Sequence, residues 1–130
     1  MAKKKMKRAT KESLLARAQK RDDKTKYREY SSKVLGENLL VKKHKLTRIC
    51  EILDMADEES AEGGLELYKQ LIYESVPILQ DKELQEAYGC VEPHDIVTEI
   101  LDDSLGEINK LAEFILEMYD LKDLGQNVKN

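Results

Sequence analysis

Residues 107–119 form the segment that most constrains this chain, because as a helix they are too apolar for a single neighbour. At about 100° per residue, Asn109, Lys110, Glu113 and Glu117 fall within roughly 100° of one another. Ile108, Leu111, Ala112, Phe114, Ile115, Leu116, Met118 and Tyr119 spread over roughly 200° of the remaining arc. An ordinary surface helix carries an apolar stripe of about 100° or a little more. Two arrangements satisfy the excess. Either the helix is central and packs between two others, or one edge faces a partner. The candidate partner-binding residues are Phe114 with Met118 or Leu116, together with Leu111.

The rest of the chain supplies neighbours for such a helix. Leu46, Ile49, Cys50, Leu53 and Ala56 follow helical spacing, and Gly63-Gly64 reads as the end of that helix. A second helix runs from Leu65 through Tyr68, Leu71, Ile72 and Val76, ended by Pro77, because the residue before a proline disfavours the α region. Asp81 caps a short helix over Glu83, Leu84 and Ala87, closed at Gly89. Pro93 suits the first turn of another helix, whose inner face is Ile96, Val97, Ile100 and Leu101. Ser104-Leu105-Gly106-Glu107 reads as a capping box in front of the apolar helix, with the glutamate reaching back to the serine backbone. Upstream, residues 30–35 and 39–43 are β-prone runs around Gly36-Glu37-Asn38, which has turn chemistry. A lone hairpin needs something to pack on. The expected fold is mainly α: a domain of about five helices over residues 27–121, a short N-terminal hairpin, and flexible charged ends.

The two halves of the chain differ in charge. Residues 1–50 hold 17 Lys/Arg against 5 Asp/Glu, and residues 51–130 hold 5 against 21. Residues 1–26 form a basic arm in which Thr10 can cap a marginal helix through Leu14, Leu15 and Ala18, interrupted at Asp22-Asp23. Residues 122–130 form a polar tail. Overall the chain is 41% apolar and 37% charged, against about 45–50% and about 25% in typical domains. That balance suits a small helical domain with a polar extension. No apolar stretch approaches the roughly 20 residues needed to span a bilayer, and no apolar core follows the N-terminal lysines as in a secretory signal. The expectation is a soluble protein of the cytoplasm.

The residues that carry chemistry elsewhere are poorly arranged for it here. His44, Cys50, Cys90 and His94 are soft or borderline ligands, but neither pair has zinc-site spacing, and Cys50 lies on an apolar stripe where a buried structural cysteine is expected. Glu92-Pro93-His94-Asp95 resembles a tuned base on paper, and equally a helix start with acids where the dipole favours them. Gly63-Gly64 lacks the strand, Lys and Ser/Thr of a phosphate loop. Neither a catalytic constellation nor a cofactor or metal site is expected. The basic arm, with Tyr27 and Tyr30 nearby, leaves a nucleic-acid-binding or regulatory protein as the alternative, since lysine clusters gain affinity by releasing counterions from phosphates.

Several strings together resemble a known family. They are Glu66-Leu67-Tyr68-Lys69-Gln70-Leu71-Ile72-Tyr73-Glu74-Ser75-Val76-Pro77-Ile78-Leu79, then Asp81-Lys82-Glu83-Leu84-Gln85-Glu86-Ala87-Tyr88-Gly89-Cys90, then Glu92-Pro93-His94-Asp95-Ile96-Val97. The most specific is Gly106-Glu107-Ile108-Asn109-Lys110-Leu111-Ala112-Glu113-Phe114-Ile115-Leu116. With weaker similarity at residues 34–36 and 39–43, about two thirds of the chain resembles the XkdN-like tail assembly chaperones of long-tailed phages and phage-derived particles in Gram-positive hosts. The basic arm departs from that pattern. The resemblance implies a non-enzymatic protein that binds the tape measure protein and keeps it soluble until tail tube subunits polymerise around it. It further implies the host cytoplasm, tail tube protein as a second partner, and a longer form made by translational frameshifting.

Overall fold

The computed structural model describes residues 6–20, 26–55 and 61–121. Among these, six α-helices and one hairpin follow in the order α1 (Lys11–Gln19), β1 (Tyr27–Ser32), β2 (Glu37–Lys42), α2 (Leu46–Asp54), α3 (Ala61–Ser75), α4 (Lys82–Ala87), α5 (Ile96–Ile100) and α6 (Leu105–Glu117). Turns of 3₁₀ helix at Pro77–Gln80 and Pro93–Asp95 lead into α4 and α5. The mainly helical class with a short hairpin is as expected.

Helix α6 is central, the first of the two arrangements that its apolar arc allows. Ile108, Leu111, Ala112, Ile115 and Leu116 are buried, and its main neighbour is α3, which buries Leu67, Tyr68, Leu71 and Ile72. Ile49 and Ile52 of α2, Ile96, Val97 and Leu101 around α5, and Val76 and Leu79 complete one core with Leu39 and Val41 of the hairpin. Each fully buried side chain of this kind contributes about 1.5–3 kcal/mol, which outweighs the local preferences of the short helices.

The hairpin pairs antiparallel, with Tyr30 opposite Leu39 and Ser32 opposite Glu37, so the turn is residues 33–36 rather than 36–38. Ser32 decides this. Its carbonyl accepts from the Gly36 N–H at 2.9 Å and its hydroxyl from the Leu35 N–H at 3.2 Å. Gly36 closes the turn at φ 68°, a left-handed conformation that costs glycine little. Glu37 and Asn38 are thereby free to join β2.

Helix ends follow the expected chemistry at several points. Asp81 accepts from the Leu84 N–H, and Ser104 from the Glu107 N–H. Gly89, at φ 66°, closes α4 in a Schellman arrangement: the Gly89 N–H reaches the Glu86 carbonyl and the Cys90 N–H the Gln85 carbonyl. In the arm, Thr10 caps α1 by accepting from the Ser13 N–H, but no α1 residue is buried. Asp22-Asp23 and the tail 122–130 lie outside the described residues.

Three local expectations are corrected. Gly63-Gly64 does not end a helix: α2 stops at Asp54, and the glycines sit near the start of α3. Their intrinsic cost of about 1 kcal/mol each is small beside the burial that α3 achieves downstream. The buried face of α2 centres on Ile49 and Ile52, which leaves Leu46 54% exposed and turns Cys50 outward. The apolar stripe was wide enough for either edge to face in, and packing on α3 selected one. Finally, the Glu107 side chain does not reach back to complete the capping box. It points into the protein and is 6% exposed.

Candidate partner interface

Helix α6 holds the hairpin at both ends. Near its start, the Tyr30 hydroxyl donates to Glu107 Oε1 at 2.9 Å. Near its end, the Tyr119 hydroxyl accepts from the backbone N–H of His44, just after β2, while the Lys43 ammonium lies 5.4 Å from the Tyr119 ring centre. Between these ties, Tyr30 meets Phe114 edge to face, with centroids 5.3 Å apart and planes at 64°. Burial, reinforced by the hydrogen bond to the Glu107 carboxylate, pushes the Tyr30 hydroxyl well above its ordinary value, so it remains a donor at any physiological pH. Burial likewise raises Tyr119.

This geometry sorts the four candidate residues of α6. Leu111 and Leu116 are fully buried and Met118 is 6% exposed, so in this fold they pack against the protein's own elements. Their position follows from the wide apolar arc, most of which α3 and the hairpin cover. Phe114 is only partly buried and retains an open side beside Tyr30.

A second surface lies between α2 and α3. Ile52 and Leu67 floor a groove of about 400 Å³ that Met55, Gly63, Glu66, Gln70 and His94 line. At its edge an ion cluster ties α3 to the turn before α5. The Lys69 ammonium donates to Asp95 Oδ1 at 2.7 Å and to Glu66 Oε1 at 3.2 Å, and His94 Nε2 bonds Glu66 Oε2 at 2.8 Å. Burial pushes the Glu66 carboxyl up, but hydrogen bonds from His94 and Lys69 outweigh it and hold it below its ordinary value. The Lys69 hydrogen bond holds Asp95 low. Burial opposes the charge on Lys69, yet its bonds to Asp95 and Glu66 leave it raised. Farther along α3, Glu74 receives a two-pronged bond from Arg48 of α2, at 2.7 and 2.6 Å, which keeps its carboxyl low.

Three of the groups that sequence singled out for chemistry are thus drawn into structural bonds. His94 and Asp95 belong to the ion cluster, and the His44 ring donates from Nε2 to the Glu74 carbonyl, which fixes its tautomer. His44 lies in the connection after β2, Cys50 is exposed and Cys90 partly buried. Among the described residues no three of His, Cys, Asp and Glu gather as metal ligands would. Two participants were invisible to sequence reasoning. Lys69 had no signal at all, whereas Glu107 carried a local one that pointed elsewhere.

The sequence pattern of the phage XkdN-like tail assembly chaperone proteins matches residues 12–129. The chain belongs to this family. No curated protein and no solved structure matches it. Membership makes the chain a phage tail assembly chaperone, a role that points away from catalysis and toward binding tail proteins. The matched span begins at Glu12 and so takes in most of α1, although the basic arm departs from the strings that carried the resemblance. Among the described residues, no helix of the chaperone is long and apolar enough to cross a membrane.

Proposed function

We propose that this chaperone binds the tape measure protein of its phage tail and keeps that long helical polypeptide soluble until tail tube subunits replace it. Family membership over residues 12–129 carries this reading. A chaperone that must release its client is served by several modest apolar contacts rather than one tight interface, because affinity is tuned mostly through the off-rate. The described surface offers such contacts: Ile78, Val91 and Leu105 are each more than half exposed. On α6, Phe114 is the candidate contact with an open side, whereas Leu111, Leu116 and Met118 are buried in the fold. The site of action is the host cytoplasm, where unassembled tail proteins accumulate, and a frameshift-extended form of the chain would bind alongside it.

Co-expression tests the reading. The soluble fraction of the tape measure protein should rise several-fold with the chaperone present, and Phe114→Asp should cancel the rise while circular dichroism still shows a cooperative helical melt. Unchanged tape measure solubility with wild-type chaperone would end this proposal. A Phe114→Asp chain that no longer melts cooperatively would return Phe114 to the core.

A further inference from the structure

Among the described residues, nothing covers helix α1 or the α2–α3 groove. Leu14 is 58% and Leu15 53% exposed, and α1 buries nothing. On the helix, Leu14, Ala18 and Leu15 fall within about 100° of arc, with Lys11 on the same arc one turn earlier and Arg17 beside it. A helix this short is marginal in water and gains its stability from a surface to lie on. The groove offers that surface: an apolar floor of Ile52 and Leu67, a rim with Met55 63% exposed, and the carboxylates Asp54 and Glu62 exposed at the facing ends of α2 and α3.

Charge favours the match. The described arm, residues 6–20, holds five Lys/Arg against one Glu, whereas the rest of the described chain, residues 26–55 and 61–121, holds ten Lys/Arg against nineteen Asp/Glu. We propose that the α2–α3 groove receives helix α1 of a second copy of this chain, with Leu14 and Leu15 over Ile52, Met55 and Leu67 and the arm's cations facing the acidic domain. Where two copies each lend a helix and receive one, the exchange closes as a two-fold dimer. Opposite charges across a rim act mainly on association rate and are screened by salt. This inference goes beyond the client-binding reading and does not depend on it.

Sedimentation equilibrium of the full chain alone tests it, from 5 to about 500 µM in low and high salt. The expected result is a monomer–dimer equilibrium whose dissociation constant rises at least tenfold between about 50 and 500 mM salt. Leu14→Asp with Leu15→Asp removes the helix stripe, and Met55→Lys repels the arm from the groove; both act at exposed positions. Each variant should be monomeric, yet a mixture of the two should recover association, because one retains a working helix and the other a working groove. A wild-type monomer throughout the range overturns the proposal, as does a dimer that neither variant disturbs. Concentration-independent shifts of groove amides on mutating Leu14 and Leu15 would overturn it too, by placing α1 in the groove of its own chain.

Discussion

Removing the Tyr30 hydroxyl isolates the tie between hairpin and α6. Tyr30→Phe keeps the ring that meets Phe114 and deletes only the donor to Glu107. Glu107 is 6% exposed, so the carboxylate that loses its donor has little water to turn to. A hydrogen bond to a charged group contributes about 1.5–3 kcal/mol, and removing one partner leaves the other's desolvation uncompensated. At this chain length each kcal/mol shifts the melting midpoint by about 4 °C, so Tyr30→Phe should lower Tm by about 6–12 °C. A double-mutant cycle with Glu107→Leu separates the pair from its surroundings. The double variant should be less destabilised than the two single effects predict, with a coupling of at least about 1.5 kcal/mol. Calorimetry on the four proteins at pH 7 decides the matter. A Tyr30→Phe protein melting within about 1 °C of wild type, with no coupling, would mean that apolar contacts alone seat the hairpin.

Two further outcomes follow from local chemistry. Gly64 lies inside α3 with open space where a Cβ would sit, so Gly64→Ala should stabilise the protein by about 0.5–1 kcal/mol in urea unfolding; a loss of stability would show that this glycine is needed by its neighbours. Glu66, Glu74 and Asp95 all have folded-state values below their ordinary 4.5, 4.5 and 3.8. A carboxyl depressed on folding contributes stability that is present above its ordinary value and disappears as pH falls through the folded one. The urea midpoint should therefore hold between pH 7 and about 5.5 and fall below about pH 4.5, and Lys69→Met should flatten the Asp95 share of that fall. A midpoint that rises on acidification would contradict the ion-cluster assignment.

Much of the fold was legible along the chain because the signals are local. Asp81, Gly89, Pro77 and Ser104 end or start helices through bonds that span only a few residues, and their spacing is visible in sequence. Helix α6 was legible for a different reason: an apolar arc twice the usual width calls either for neighbours on two sides or for a partner on one edge, and the fold supplies the neighbours. The interface was less legible. Phe114, Leu111, Leu116 and Met118 share one arc, and nothing along the sequence distinguishes the three that are covered from the one with an open side.

The amino-acid sequence by itself determined the mainly helical class, several of the helix starts and stops, the excess apolar arc of α6 and membership of a tail assembly chaperone family. Only the tertiary structure decided which edge of α2 faces the core, that the glycine pair begins α3, and that Glu107 serves Tyr30, 77 residues away in the chain, in place of its own helix end. The division has one physical cause. Caps and periodicity depend on neighbours within a turn or two, whereas a side chain with two acceptable partners chooses according to what distant elements bring against it and how well water is excluded there.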